Sequence, residues 1–330
     1  MEQYYTRIRP VDYRPKITYA DGIFMAGSCF AEHISHKLEK YKYAVLSNPF
    51  GILYNPASLN RSFKRIVGLR HYTPDELIFH DGLFHSMDHH GKFSGTNAED
   101  VITNINSSLD QAHDHLVKSK FVFISLGTAK IFISNSNNEV VGNCHKIPQN
   151  EFTSQSLSVE ECVDGMKSIH QNIKEVSPAA NVLWTISPVR YLREGFVENQ
   201  RSKATLILAV QEFLKETPGS GYFPAYEIMM DQLRDYRFYA PDMVHPSEAA
   251  IDIIWDHFCE VYVDHTQRTF HSSIEKITKA RNHRILHQNQ ERIATFAKSQ
   301  LRLIEEINSV LPDLNFKEEK QYFFHLTEPD

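Results

Sequence analysis

The sequence has no long hydrophobic run and no apolar leader at its start. None of its 330 residues lies in a stretch that approaches the roughly 18 apolar residues needed to span a bilayer. The charged N-terminal segment, MEQYYTRIRPVDYRPK, lacks an apolar core of signal-peptide length. These absences predict a cytoplasmic protein without an integral membrane segment.

Basic residues are not in excess. The formal net charge is −6 with histidine neutral, so little positive charge is available to neutralise phosphates. We therefore expect no nucleic-acid partner. We expect the partner to be a small-molecule substrate. The sequence does not indicate an oligomeric state.

Cysteines are few and lack C-x-x-C spacing: the four are Cys29, Cys144, Cys162 and Cys259. This usage is typical of a reducing compartment and argues against a zinc ribbon. A second metal hypothesis rests on His85, Asp88, His89 and His90, but neighbouring loop residues seldom converge on one ion. We predict no metal and no cofactor, and expect these side chains to line a cleft or face solvent.

Strand and helix patterns alternate from Gly22 to about Val261, which predicts a parallel sheet covered on both faces. The region 71–95 is turn-rich and is interpreted as an insertion near the cleft, and the region from 128 to 148 as loop. From His265 onward the chain is charged and favours helix. The predicted domains are therefore 1–262, α/β, and 263–330, a helical C-terminal extension.

Ligands of open parallel sheets gather at the carboxyl ends of the strands, and Ser28 follows the first predicted strand there. Far along the chain, Asp242 and His245 precede Pro246 in a turn that leads into a helix. Such a turn can hold an imidazole that removes a proton from a serine hydroxyl. The alternative for the turn is a helix cap with a surface histidine. The alternative nucleophile is Cys29, which we expect to pack instead, because cysteine is commonly buried.

Six ordered motifs resemble a known family. They span about 23–258 and read GSCFAEHI, NPFGILYNPASL, SLGTAKIF, NCHK, TISPVRYLREGFVENQRSKATL and YFPAYEIMMDQLRDYRFYAPDMVHPSEAA. Together they resemble the GSCFA family of the SGNH/GDSL-like hydrolase superfamily. The resemblance implies a three-layer α/β/α fold of flavodoxin-like kind, with Ser28 as nucleophile and with Asp242 and His245 as its partners. It also implies that the Gly51 N–H helps to bind the oxyanion.

The sequence departs from the superfamily pattern in its third motif. The oxyanion-binding asparagine of G-x-N-D is absent from Gly127-Thr128-Ala129-Lys130. Candidate replacement donors are Thr128, Asn48 and Asn143. Tyr191 stands where the family often has histidine, and the adjacent Arg190 is a candidate contact for an anionic substrate group.

Three functions are consistent with these residues. The first is a serine hydrolase that cleaves an ester, for example of an acylated carbohydrate or a lipid, through an acyl-enzyme. The second is an acyltransferase with the same triad, and the third is a binding protein that has lost the chemistry. The charges of Arg234, Asp235 and Arg237 form either a half-buried network that braces the Asp242 turn or a solvated charge run.

Overall fold

The computed structural model describes residues 6–9, 11–282 and 289–327. Its strands are β1 Gly22–Gly27, β2 Val45–Ser47, β3 Leu77–His80, β4 Leu83–Ser86, β5 Ser119–Leu126, β6 Lys130–Ser134, β7 Val140–Val141, β8 Phe152–Ser156, β9 Asn181–Ile186 and β10 Gly221–Phe223. Its helices are α1 Cys29–Lys40, α2 Pro56–Val67, α3 Ala98–Lys118, α4 Val159–Val176, α5 Gly195–Glu216, α6 Ala225–Glu227, α7 Glu248–Tyr262, α8 His265–Arg268, α9 His271–Asn282, α10 Gln290–Val310 and α11 Lys317–His325.

The chain forms two compact units. The first contains Gly22–Ser35, Val45–His257 and the described residues before Pro10. The second contains Val11–Asp21, His36–Ala44 and the described residues from Phe258 onward. The domain boundary after residue 262 stays a prediction.

The first unit is built on a five-stranded parallel sheet of order β2-β1-β5-β9-β10. Numbered by their sequence within this sheet, the strands follow the order 2-1-3-4-5 of flavodoxin-like folds. The predicted fold class is therefore confirmed. In this topology the chain leaves β1 and β5 in opposite directions, and the gap between their carboxyl ends is where ligands of such folds bind.

Both faces of the sheet are buried, as alternation along β1 shows. Phe24 and Ala26 belong to an apolar cluster that includes residues of α2, α3, α4 and α5. Ile23 and Met25 point to the opposite face and are equally buried. The apolar residues of α1 and of the first part of α7, such as Ile34 and Ile254, are buried outside that cluster and form the opposite layer. The strands therefore read as continuous apolar runs.

Two strands of a second sheet, β6 and β7, lie in the region 128–148 that the sequence predicts to be loop, so that expectation was wrong. Strands β7, β6 and β8 pair antiparallel in the order β7-β6-β8. The sheet was missed because β7 has two residues and β8, FTSQS, which follows the predicted loop, is mostly exposed and polar. Neither strand carries an apolar alternation that would reveal it.

The 71–95 region is a hairpin of β3 and β4 flanked by short 3₁₀ turns. Helix α5 begins at Gly195, directly after the loop that follows β9.

In the second unit, α9, α10 and α11 share a small apolar core that includes Ile274, Ile304 and Phe323. The C-terminal region is helical as predicted, and its aromatic YFF segment lies in α11 and not in a strand. Among the residues described, no helix is both long and apolar enough to cross a membrane.

Candidate active site

Ser28 lies at the carboxyl end of β1, where the strand turns sharply into α1. Gly27 makes this turn possible, since its φ is +129° and a Cβ there would lie 2.1 Å from the Ser125 carbonyl oxygen. The Ser28 N–H donates to the same oxygen at 2.9 Å. The Ser28 Oγ is 2.8 Å from the Ser125 Oγ and accepts the Phe30 N–H at 3.3 Å. The hydroxyl is thus held by the adjacent strand β5 and by the first turn of α1.

His245 and Asp242 form a turn held by local hydrogen bonds. The Val244 and His245 N–H groups donate to Asp242 Oδ1 at 2.9 and 3.0 Å. The His245 Nδ1 lies 2.6 Å from Asp242 Oδ2, and because a carboxylate only accepts, the ring donates through Nδ1. These bonds, the one from the His245 N–H foremost, lower the pKa of Asp242 to about 2. The carboxylate therefore stays ionised and leaves Nε2 as the acceptor nitrogen of a neutral ring.

A cavity of about 890 Å³ is lined by both Ser28 and His245. No hydrogen bond joins the two side chains in the part of the chain that the structure describes, and the Ser28 hydroxyl is bonded to Ser125. Catalytic hydrogen bonds often form fully only when substrate is bound. The cavity lies at the carboxyl ends of β1 and β5, and residues of the second sheet, such as Phe132 and Val141, form part of its wall.

Cys29 also lines the cavity and is partly exposed, which differs from the expectation that it packs. Burial raises the pKa of its thiol, with the Glu32 carboxylate adding to the effect and the Lys203 ammonium opposing it. A protonated thiol is a poor nucleophile. The neighbouring serine therefore remains the better candidate.

The two predicted oxyanion donors on the second loop differ in availability, and neither lines the cavity. The Gly51 N–H donates to the Asn48 carbonyl at 2.7 Å, and Gly51 has a φ of +78° with His90 only 2.2 Å from its would-be Cβ. Asn48 Oδ1 accepts the Gly27 N–H at 2.8 Å, and its Nδ2 is buried without a partner among the described residues. The Gly51 N–H is therefore used by the protein, whereas the Asn48 amide holds the turn that carries Ser28 and lies outside the cavity wall.

The third loop lines the cavity but has few free donors. The Gly127 and Thr128 N–H groups both donate to the Tyr54 carbonyl. The Thr128 hydroxyl is 2.9 Å from the Ser202 Oγ and accepts the Lys130 N–H. The Thr128 N–H is therefore used by the protein, and its hydroxyl has protein partners on both sides.

Two asparagine side chains on the cavity wall do have a free donor. Asn143 Oδ1 accepts the His145 N–H, and Asn55 Oδ1 accepts the Ser58 N–H, each at 2.8 Å. These bonds fix which end of each amide is the oxygen. Within the described ranges neither Nδ2 has a protein partner. Asn143 was a candidate from the sequence, whereas Asn55 was not. Asn55 could have been recognised because it directly precedes Pro56, the first residue of α2, at the end of the loop that contains Tyr54.

Arg190 does not line the cavity. Its guanidinium donates to Asn199 Oδ1 at 2.5 Å, and its N–H donates to the Val244 carbonyl at 3.3 Å. Arg190 thus connects α5 to the turn of His245, while Tyr191, the departure from the family pattern, does line the cavity.

Lys203 is a buried cation that the sequence analysis missed. Its side chain is fully buried, and its Nζ donates to the carbonyl of Ser187, a cavity-lining residue, at 2.6 Å. Burial lowers the pKa of Lys203 to about 7. The sequence could have indicated that Lys203 is buried, because it lies on the same face of α5 as Leu206 and Val210.

The histidines of the 71–95 region have structural partners. His85 bonds to the Ser94 hydroxyl at 2.6 Å, and His89 bonds to the Ser86 hydroxyl and stacks on Phe50. His145 bonds to the Ser86 carbonyl at 2.8 Å and lines the cavity. Among the described residues, no three His, Cys, Asp or Glu side chains are placed to hold a metal ion.

The charges at 234–237 are solvated. Arg237 pairs with Asp235, and Arg234 pairs with Asp231, all four with exposed side chains. The turn of His245 is braced by backbone instead, since the Ala240 N–H donates to the His245 carbonyl and the Ser247 N–H to the Phe238 carbonyl.

Comparison with protein families identifies the class. The model of the GSCFA family matches residues 22–258, and the model of the GSCFA domain protein, C-terminal domain, matches residues 274–325. The chain belongs to the GSCFA family. No curated protein matches the sequence.

Two solved structures are similar to the chain. One is described provisionally as a platelet activating factor from Streptococcus pneumonia, with 13% identity, a TM-score of 0.40, and 73% of this chain and 83% of that chain covered. The other is an acetyl xylan esterase (Est2A) from the rumen bacterium Butyrivibrio proteoclasticus, with 8% identity, a TM-score of 0.38, and 74% of this chain and 64% of that chain covered.

Proposed function

We propose that the protein is an ester hydrolase of the SGNH/GDSL-like type. Ser28 is its nucleophile, His245 its general base and Asp242 the group that orients the imidazole. The observation that carries this proposal is that Ser28 and His245, remote in sequence, line one cavity at the carboxyl ends of the sheet strands. The Asp242 contact supports it, because it leaves the His245 Nε2 ready to accept a proton.

The reaction proceeds through an acyl-enzyme. The Ser28 oxygen attacks the acyl carbon while its proton passes to the His245 Nε2, and a tetrahedral oxyanion forms. The ester C–O bond then breaks, and the alcohol leaves with the proton from His245. A water molecule next gives a proton to His245 and attacks the acyl-enzyme, which releases the acid and restores the serine.

The oxyanion needs donors that are not already used. The N–H groups of Ser28, Gly51, Gly127 and Thr128 all donate to protein carbonyls. The Nδ2 groups of Asn55 and Asn143 are free and belong to residues of the cavity wall. We assign the role of the absent third-motif asparagine to the amide of Asn55, with Asn143 as the second donor. A donor of this kind contributes on the order of a hundredfold or more in rate.

The substrate class is an O-acyl ester of a small molecule, with carbohydrate and lipid esters as the leading candidates. A cavity of about 890 Å³ has the size of sites that take drug-sized ligands. The side chain of His245 is 43% exposed, so water or a second alcohol can reach it. Hydrolysis and acyl transfer are therefore separated by the products formed when a competing alcohol is present.

A fluorophosphonate probe, which reacts with activated serines, tests the proposal. The folded wild-type protein is expected to be labelled, and Ser28→Ala to lose the label. Cys29→Ala is the matched control, since it changes the adjacent cavity residue and should keep the label. Absence of labelling in folded wild type would overturn the serine mechanism and favour a binding protein. Labelling that survives Ser28→Ala would overturn Ser28 as the nucleophile.

A further inference from the structure

The cavity wall carries two cations that are not paired with a carboxylate among the described residues. Lys146 and Arg193 both line the cavity and are exposed, and neither forms an ion pair there. Lys130 is neutralised by Glu194, which is the one carboxylate among the residues of the wall. The chain as a whole has a net charge of −6, so this local excess of positive charge is not a general property of its surface.

Lys146 has a positive φ, a backbone conformation that is unfavourable for lysine. His145 and Lys146 have φ of +48° and +61°, and the Ile147 N–H closes the turn onto the Cys144 carbonyl at 2.9 Å. Turns with two left-handed residues favour Asn-Gly. His145 is explained by its bond to the Ser86 carbonyl, whereas the Lys146 side chain forms no hydrogen bond or ion pair within the described residues. Its ammonium group is therefore available to a ligand in the cavity.

Arg193 is held against the wall by an aromatic ring. Its guanidinium carbon lies 6.0 Å from the centre of the Phe132 ring, and Phe132 also lines the cavity. Arg190, the arginine that the sequence analysis favoured for an anionic group, is bonded to Asn199 and lies outside the wall. The role expected of Arg190 therefore passes to Arg193, three residues further on.

We propose that the cavity contains a subsite for an anion, formed by Lys146 and Arg193, and that its substrates are esters that carry a carboxylate or a phosphate. The apolar part of the wall, which includes Val141, Ile147 and Leu192, faces the remainder of such a substrate. This inference rests on the proposed ester hydrolase. It specifies the substrate class of the same cavity.

Matched pairs of esters test the subsite by binding alone, in the Ser28→Ala protein, where no turnover interferes. One pair is p-acetoxybenzoate and its methyl ester, with the anion on the alcohol side. The other is mono-p-nitrophenyl succinate and its methyl ester, with the anion on the acyl side. Calorimetry at low salt is expected to show about tenfold tighter binding of the anionic member of one pair, and loss of most of this preference near 0.5 M salt. The pair that shows it identifies the side.

Variants separate the subsite from the fold. In the Ser28→Ala background, Lys146→Gly and Arg193→Ala are each expected to weaken anion binding about threefold to tenfold and to leave the neutral ester unchanged. Lys146→Gly should also unfold at the same or a higher temperature, because glycine adopts the positive φ without strain. Lys64→Ala is the matched control, since Lys64 is exposed on α2 and is not part of the wall.

Equal binding of the charged and neutral esters, or a preference that survives the Lys146→Gly/Arg193→Ala double variant, would overturn the subsite. A different outcome is possible: the Ser28→Ala protein prefers the anionic ester, but the wild-type protein hydrolyses neither pair and is not labelled by the fluorophosphonate. That outcome would support the subsite and contradict the hydrolase. The two proposals therefore fail in distinguishable ways.

Discussion

The two halves of the candidate site are built by opposite means. Ser28 is 1% exposed and is held by hydrogen bonds to Ser125, a residue on another strand of the central sheet. Asp242 and His245 have side chains 51% and 43% exposed, and the bonds of the carboxylate reach no further than three residues along the chain. The proposed nucleophile thus depends on the packed sheet, and the proposed base depends on a local turn. Changes at the first half should therefore affect stability and activity together, whereas changes at the second should affect activity alone.

The largest expected effect is on the exposed half. His245→Ala should lower the rate of ester hydrolysis by about ten-thousandfold, because it removes the base. It should change the free energy of unfolding by less than about 0.5 kcal/mol, since the ring is solvated and its carboxylate partner can return to water. Rates with a p-nitrophenyl ester and urea unfolding check the two statements. A large loss of stability would show that the turn supports the fold, and the contrast would no longer hold.

Gly27→Ala should affect the buried half through stability. A Cβ 2.1 Å from the Ser125 carbonyl oxygen forces apart β1 and β5, at a cost on the order of 3 kcal/mol or more. Gly82→Ala is the control, because Gly82 also has a positive φ, of +76°, but open space around it, so that only backbone strain of about 1 kcal/mol is expected. Chemical unfolding measures both. Equal losses in the two variants would mean that the close approach is not the cause.

The substitution Asn55→Asp separates activity from stability within the buried half of the site. The aspartate keeps the oxygen that accepts the Ser58 N–H at the start of α2 and loses the free Nδ2. The hydrolysis rate should fall about a hundredfold while the stability changes by less than about 1 kcal/mol. Asn97→Ala is the matched control, since Asn97 caps α3 outside the cavity wall and should lower stability by about 1 kcal/mol without slowing the reaction. An unchanged rate in Asn55→Asp would exclude Asn55 as the oxyanion donor.

The most gradual effect is a pH dependence of stability, spread over several pH units. Burial lowers the pKa of His89 to about 3 and that of His145 to about 4, from 6.5. Between pH 6.5 and pH 4 the unfolded chain therefore binds more protons than the folded one, and stability should fall as the pH decreases, by up to about 1.4 kcal/mol per pH unit for each of the two histidines. Urea unfolding at several pH values measures it. In His145→Gln the slope should be smaller, and an unaltered slope would assign the protons to other groups.

Much of the fold was predictable because its signals are local. The apolar runs of β1, β5 and β9 are buried on both faces and so read directly as strands of a covered parallel sheet. The second sheet was missed because strands such as β7 and β8 are short or polar and gain their stability by pairing with β6. Pairing between segments distant in sequence leaves no period for a sequence pattern to reveal.

The site divides in the same way. The sequence predicts Ser28, Asp242 and His245 as catalytic candidates because each stands in a distinctive motif, and in the structure the Asp242 turn closes on itself. The roles expected of Gly51 and Arg190 require their N–H and guanidinium groups to face the cavity. In the structure the Gly51 N–H donates to the Asn48 carbonyl and the Arg190 guanidinium donates to Asn199. Asn55 and Lys203 were missed because their importance arises from what packs beside them.

By itself the sequence determined the strand and helix alternation, the turn after β1 that needs glycine, and the Asp-His turn, since these depend on residues close together in the chain. Only the tertiary structure decided that Ser28 and His245 share a cavity, which amides keep a free N–H, and which cations lack a partner. The physical reason is that a hydrogen-bond donor or a charge is available to a ligand only when no other group of the folded chain has taken it, and those groups come from distant segments.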